Sequence, residues 1–159
     1  MNPIERARLI ERYRDGPHQV RLALEGITAA ELDVRPAPNA WTVREVVHHL
    51  PDSEMTSAIR LRRLLCEDAP VLGGYDEEQF ARTLGYAERP IEAALDLFEL
   101  IRRVTAEIIE RMTETEWARA GTHSESGCYS CETWLEIYAA HAHEHADQIL
   151  RARAAAAGR

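Results

Sequence analysis

Histidines crowd one short stretch near the C-terminal end of the chain and occur as a pair further upstream. The stretch "HAHEHADQIL" places His141, His143 and His145 within five residues. The stretch "VVHHLPDSE" supplies His48 and His49. An imidazole ligates divalent metals when neutral and exchanges protons near neutral pH. These residues indicate a metal site or an acid–base site, with the polar surface of two helices as the alternative.

Helical spacing separates the three C-terminal histidines. His141 and His145 are four residues apart and lie on one helix face. That face also carries residues expected in a core: Trp134, Tyr138 and Ile149. His143 lies about 200° from His141 at 100° per residue, and so should face solvent. Because two histidines at i and i+4 can converge on one ion, we predict His141 and His145 as metal ligands.

A third ligand is expected from the upstream pair. His49 lies about 110° from the centre of the apolar face of its helix, and His48 lies about 150° from it. This angle favours His49 as the ligand. It places His48 near solvent with Arg44 and Asp52, although angle alone does not settle the choice.

Two other metal patterns are weaker. A di-iron bundle needs two Glu-x-x-His motifs. "EVVH" has that spacing, but Glu45 is explained by a helix cap and the last helix has no such motif. "CYSC" places Cys128 and Cys131 at C-x-x-C spacing without a second pair nearby, which is little support for a structural zinc or redox role.

The elements that must position these residues are nearly all helical. Asn2 and Pro3 start a first helix, in which "DGP" at 15–17 predicts a kink or break. Thr42 and Glu45 form a capping box that starts a second helix, expected to kink at Pro51 and end near Cys66.

Two further long helices complete the pattern. One begins at Pro90 with an apolar stripe to Met112, and the last runs from about Glu132 to Ala157. Short helices are expected at 28–32 and 76–84, loops at 68–76 and 121–131, and no strand. The chain is therefore predicted to be all-α, one four-helix-bundle domain spanning residues 1–159 with short extra helices.

Composition narrows the class of protein. The net charge is −8 and there is no large basic block, which argues against nucleic-acid binding. No apolar run approaches the ~20 residues of a membrane span, and the N-terminus is charged throughout. With three cysteines, an odd number, the chain is expected to be cytoplasmic.

Two motifs resemble the DinB/YfiT-like superfamily. "WTVREVVHHLPDSE" is similar to the family's Trp, Ser/Thr, Glu, His-Leu and terminal Glu pattern, and "HAHEHADQI" is similar to its H-x-x-x-H-x-x-Q-I ending. The two lie about 90 residues apart, in the family's order. The resemblance covers essentially the whole chain.

The resemblance implies an up-down-down-up four-helix bundle, often dimeric, that holds a divalent metal, commonly nickel or zinc, through three histidines. By position the ligands are His49, which precedes Leu50, with His141 and His145. Gln148 matches the motif's glutamine and is expected beside the site. His48, His143 and the cysteine pair depart from the family pattern.

Activities within the family vary, so the resemblance implies a small-molecule substrate without naming it. Some members are thiol transferases using a low-molecular-weight thiol, one branch is a thiol-dependent isomerase, and many are called metal-dependent hydrolases. A non-catalytic, stress-related metal-binding module is the alternative. Glu54 and Asp52 are candidates for a general base or a support of the ligands. His123 could approach the metal from a loop, although a surface position is the simpler interpretation.

Overall fold

Four long helices carry most of the chain, and the computed structural model describes residues 1–157. The long helices are α1 (Pro3–Leu24), α3 (Val43–Cys66), α5 (Glu92–Ile109) and α7 (Cys131–Ala157). Between them lie α2 (Ala29–Leu32), α4 (Glu77–Thr83), a 3₁₀ turn (Tyr86–Glu88) and α6 (Glu114–Trp117). Three short strands complete the described chain: β1 (Val71–Leu72), β2 (Ala120–His123) and β3 (Gly127–Ser130).

The capping signals in the sequence start the helices where predicted. The Asn2 side chain accepts a hydrogen bond from the Glu5 amide, ahead of Pro3. Thr42 and Glu45 form both hydrogen bonds of a capping box at the start of α3. Local chemistry therefore fixes where the helix carrying His49 begins.

Contacts between the long helices establish the predicted up-down-down-up bundle. Along α1 and α7, Arg6 meets Glu132, Arg12 meets the Ala139 carbonyl, and Arg153 meets the Ala23 carbonyl, so the two helices run parallel.

Helix α3 runs antiparallel to α7: Ser57 meets Trp134, and His49, earlier in α3, meets His141. Contacts of Arg102 with Glu54 and of Arg62 with Thr105 make α3 and α5 parallel.

Of the kink or break expected at 15–17, the break is wrong, because α1 continues through Pro17, while the kink stays a prediction. Proline lacks the N–H that would bond the carbonyl of residue 13. The Tyr13 carbonyl instead accepts a hydrogen bond from Arg102 Nη1 at 2.7 Å. Gly16 allows α7 to approach, since a Cβ added there would lie 2.7 Å from the Ala142 Cβ. The segment 15–17 is therefore a continuous part of α1, against which α7 and the Arg102 side chain pack.

The expectation of no strand is also wrong. Strand β1 pairs in parallel with β2, and β2 pairs antiparallel with β3. Each strand has only two to four residues, too few for alternation to show in the sequence. The β1–β2 pair joins segments about 50 residues apart, so it exists only once the bundle brings them together.

Two apolar clusters fill the bundle, with buried polar side chains at the level between them. One cluster is built around Trp134 and Leu61, and the other around Phe98 and Leu50. At that level the Arg102 Nε donates to Glu54 Oε2 at 2.8 Å, and both side chains are fully buried. Within the described chain, no helix has the length and apolar character needed to cross a membrane.

Candidate metal centre

Three histidines from two helices meet at one point. The Nε2 of His141 lies 3.3 Å from Nε2 of His49 and 3.1 Å from Nε2 of His145. One ligand atom of each residue lies within 4.8 Å of those of the other two. Helix α7 places His141 and His145 one turn apart, and α3 supplies His49 from the facing side. The structure therefore brings together the three predicted ligands, whose role as ligands stays a prediction.

The spacing of these nitrogens fits a shared ion. A tetrahedral ion with metal–nitrogen bonds of ~2.0–2.1 Å separates its ligand nitrogens by about 3.3–3.4 Å. The two Nε2–Nε2 separations, 3.1 and 3.3 Å, lie close to that value. Without an ion, facing nitrogens can share at most one proton, so the arrangement lacks hydrogen-bond donors.

Electrostatics keep the three imidazoles in the form that binds metal. Burial, and then the charge of His145, lowers the pKa of His49 to about 3. Burial also lowers the pKa of His141 well below its usual value, and that of His145. Neutral imidazole is the ligating form, so a metal need not displace protons at neutral pH.

Gln148 orients His145. The Nδ1 of His145 lies 2.8 Å from the Gln148 Oε1, one turn later on α7. Since an amide oxygen only accepts, Nδ1 carries the proton and Nε2 is left with a free lone pair. The Nδ1 atoms of His49 and His141 are buried and have no hydrogen-bond partner within the described chain.

The remaining histidines of the two motifs lie outside the group. His143 turns away, as predicted, and its Nε2 lies 2.9 Å from the Arg12 carbonyl oxygen. The expectation that His48 sits near solvent is wrong, because it is buried and its Nε2 lies 3.1 Å from the Arg89 carbonyl oxygen. The 3₁₀ turn covers this side of α3 and supplies Tyr86, whose ring packs on His48 at 5.7 Å.

The two carboxylates named as candidates have other partners. Glu54 accepts hydrogen bonds from the Tyr13 hydroxyl at 2.6 Å and from Arg102 at 2.8 Å. Asp52 accepts a hydrogen bond from the Tyr86 hydroxyl. Neither carboxylate belongs to the histidine group within residues 1–157. A role as a general base stays a prediction for Glu54. The hydrogen bonds that Glu54 makes connect α3 to α1 and to α5.

A row of polar side chains leads away from the histidines, and the sequence did not single it out as a site. The Ser53 hydroxyl lies 3.5 Å from the His141 Nε2, and Tyr138 packs its ring 5.7 Å from that of His141. The Tyr138 hydroxyl accepts a hydrogen bond from Arg60 Nη1 at 3.3 Å. Ser53 and Arg60 follow His49 by four and eleven residues, spacings that return to one helix face. This helical periodicity is the sequence signal from which Ser53 and Arg60 could have been placed on the same side of α3 as His49.

The loop histidine and the cysteines do not join the histidine group. His123 is buried against Tyr129, with ring centroids 5.5 Å apart, so the surface position expected for it is wrong. All three cysteines are free thiols. Burial raises the pKa of Cys131 to about 11, which keeps its thiol protonated at neutral pH.

Comparisons with known proteins identify relatives of this chain and a shared fold. The profile of the DinB superfamily matches residues 12–149. A relative from Oceanobacillus iheyensis, named "Putative metal-dependent hydrolase", is 33% identical over 140 residues, covering 88% of this chain and 81% of the relative. A relative of the same name from Geobacillus thermodenitrificans is 30% identical over 148 residues, covering 91% and 82%.

A solved structure shares the fold. YfiT from Bacillus subtilis is described as "a probable metal-dependent hydrolase with an unusual four-helix bundle topology". It superposes with a TM-score of 0.90 at 26% identity, over 96% of this chain and 87% of YfiT. The two relatives and the solved structure therefore carry the same description, a metal-dependent hydrolase, and the solved structure also shares the fold of this chain.

Proposed function

The chain belongs to the DinB superfamily, and from that premise we propose that it is a hydrolase of a small molecule that depends on a divalent metal held by His49, His141 and His145. The observation that carries the proposal is the convergence of these three Nε2 atoms without a fourth protein ligand in residues 1–157. Three protein ligands with an open position are typical of catalytic zinc sites, whereas structural sites have four.

A bound divalent ion would lower the pKa of a coordinated water towards ~7 and so supply a hydrolytic nucleophile at neutral pH. The chain's own residues prepare the site for this chemistry. Burial holds the histidines neutral, and Gln148 fixes the tautomer of His145. His141 and His145 are only partly buried, which leaves an approach for a small molecule, whereas His49 is fully enclosed.

Nickel and zinc are the metals we propose, since both accept imidazole nitrogen. The relatives' names support hydrolysis. Transfer of a low-molecular-weight thiol belongs in the same substrate screen, because a divalent ion also stabilises a thiolate.

The decisive experiment is metal analysis of tag-free protein, comparing wild type with His141→Ala and His143→Ala. The two variants remove the same side chain from one helix, two residues apart. We expect about one metal per chain in wild type and His143→Ala, and almost none in His141→Ala, because only His141 faces the other ligands.

Equal metal content in His141→Ala and His143→Ala would show that His141 is not a metal ligand and would refute the proposed site. A screen of ester, amide and thiol-transfer substrates then tests catalysis, with activity expected to disappear on chelation and return with added metal. Bound metal without any metal-dependent turnover in that screen would favour the non-catalytic module.

A further inference from the structure

Arg60 is connected to the candidate metal ligands through the side chain of Tyr138. It follows His49 by eleven residues, or about three helical turns, so both start from the same face of α3. Its side chain leans back towards the helix N-terminus, as helical side chains do, and Nη1 reaches the Tyr138 hydroxyl at 3.3 Å. Tyr138 in turn packs on His141. The guanidinium therefore stands one side chain away from the candidate metal centre.

Within residues 1–157, the charge of Arg60 has no carboxylate partner at salt-bridge distance. Its hydrogen bonds go to two neutral oxygens, the Tyr138 hydroxyl and the Gly73 carbonyl, the latter at 2.6 Å. Its Nε is buried and has no hydrogen-bond partner in the described part of the chain. Glu77 lies near enough for the Arg60 charge to act on its pKa, yet the two form no salt bridge within residues 1–157.

The contrast with Arg6 and Arg102, which are buried whereas Arg60 is half-buried, is informative. Arg6 pairs with Glu114 and Glu132, and Arg102 pairs with Glu54. Burying a guanidinium is costly unless it is paired. Arg60 thus offers a donor fork that the protein itself leaves partly unused.

More unused polar atoms surround this guanidinium. The hydroxyls of Tyr75 and Tyr129 and the Nε2 of His123 are buried and have no hydrogen-bond partner within the described residues. The charge of Arg60 acts on all three of these side chains. His123 is 7% exposed and Tyr129 is 3% exposed, so bulk water does not serve them. Buried polar atoms are normally bonded, and several unbonded ones around one cation indicate a place for a ligand with acceptor oxygens.

The chemistry of the surroundings selects the ligand class. A guanidinium binds carboxylate and phosphate through paired hydrogen bonds. A phosphate monoester carries about −1.5 to −2 at pH 7, which is more charge than Arg60 alone balances at its end of the row. Burial lowers the pKa of His123, which leaves Arg60 with the positive charge here. One positive charge matches one carboxylate.

We propose that Arg60, with the phenols of Tyr75 and Tyr138, binds a carboxylate group of the small-molecule substrate, whose reacting bond lies at the histidines. This inference rests on the proposed function, since it names the substrate class of the same site. The row runs from His141 Nε2 to the Ser53 hydroxyl at 3.5 Å, on to the Tyr138 hydroxyl, and from there to Arg60 Nη1 at 3.3 Å, so its ends are at most about 10 Å apart. The substrate is therefore a small carboxylic acid with only a few bonds between its carboxylate and the bond that is cleaved.

The test uses the zinc-loaded protein and follows the Nε–H signal of Arg60 by ¹H–¹⁵N NMR. Benzoate is the probe, benzamide is its neutral isostere, and inorganic phosphate represents the other anion class. We expect the Arg60 signal to shift saturably with benzoate and not with benzamide, and phosphate to bind more weakly than benzoate. Stronger binding of phosphate, or equal binding of benzamide, would overturn the assignment.

Variants assign the binding to this side chain. Arg60→Met should weaken benzoate binding at least tenfold, and Arg60→Lys, which keeps the charge without the paired donors, should fall between it and wild type. Arg103→Met removes a charge from an exposed position on α5 and should bind benzoate as wild type does. Unchanged affinity in both Arg60 variants would refute the proposal, and circular dichroism of each variant verifies that it is folded.

Repeating the titration on chelated protein separates this inference from the metal proposal. Binding that persists without metal and is lost in Arg60→Met supports a carboxylate site even if the chain proves to hold no catalytic ion. Binding that needs zinc and survives in Arg60→Met means that the carboxylate binds the metal itself, and the inference fails while the metal site stands.

Discussion

At the scale of single residues, the hydrogen bond between Gln148 and His145 decides which nitrogen of His145 faces the other two histidines. The amide oxygen lies 2.8 Å from Nδ1, so the proton is held there and Nε2 is free to ligate. Partners of this kind raise ligand basicity and fix ring orientation. A small side-chain contact one turn along α7 therefore prepares the site before any metal arrives.

Replacing Gln148 should weaken metal binding without unfolding the chain. We predict a 10–100-fold loss of zinc affinity for Gln148→Ala, the usual effect of removing such a partner. Gln148→Glu keeps an acceptor for Nδ1–H and should retain affinity within tenfold. Competition against a chromophoric chelator measures both, and wild-type affinity in Gln148→Ala would show that Gln148 does not support a metal ligand.

At the scale of elements, Arg102 ties three helices to α5 at one level of the bundle. It donates to Glu54 on α3, to the Tyr13 carbonyl on α1 and to the Tyr138 carbonyl on α7. The Tyr13 carbonyl is available because Pro17 has no N–H to give it. A proline inside α1 and an arginine inside the core are therefore two parts of one arrangement.

Removing Arg102 should destabilise the protein strongly. We predict that Arg102→Met lowers the free energy of unfolding by about 3–5 kcal/mol, because Glu54 is left buried without its counter-ion. Arg103→Met, at the exposed neighbouring position, should change it by no more than about 0.5 kcal/mol. Urea denaturation measures both.

The double variant Glu54→Leu/Arg102→Met refines this test. It should recover part of the lost stability, because no unpaired charge then remains in the core. If Arg102→Met alone is as stable as wild type, the buried pair does not hold the helices together.

At the scale of the whole molecule, one side of the bundle exposes an apolar face formed by α3 and α5. Met55 and Ile59 on α3 lie next to Leu100 and Val104 on α5, and Ile59 is 58% exposed. Contiguous apolar surface of this kind usually marks an interface. The family resemblance predicts a dimer, and we propose this face as its contact.

A charge placed on this face should keep the chain monomeric. We predict that wild type sediments as a dimer and that Ile59→Glu sediments as a monomer, since a glutamate would be buried unpaired in the contact. Ile4→Glu alters an isoleucine that is 85% exposed on α1 and should leave the dimer intact. Analytical ultracentrifugation decides. A monomeric wild type, or a dimer of Ile59→Glu as tight as that of wild type, would contradict the assignment.

The sequence was most informative about features that depend on near neighbours. The Thr42–Glu45 capping box set the start of α3, and four-residue spacing placed His141 and His145 together and turned His143 away. These features follow from the helical repeat and from hydrogen bonds within one turn, so no distant residue is needed to specify them.

The tertiary structure decided what depends on residues far apart in the chain. His48 is buried because the 3₁₀ turn at 86–88 covers it, and the β1–β2 pair exists only where the bundle brings two loops together. The same holds for Arg60 on α3 and its neighbours, which come from α7, from the segment between β1 and α4, and from strands β2 and β3. Periodicity specifies the face of a helix on which a residue lies. Packing between helices determines what that face meets, and hence which polar groups are left for a ligand.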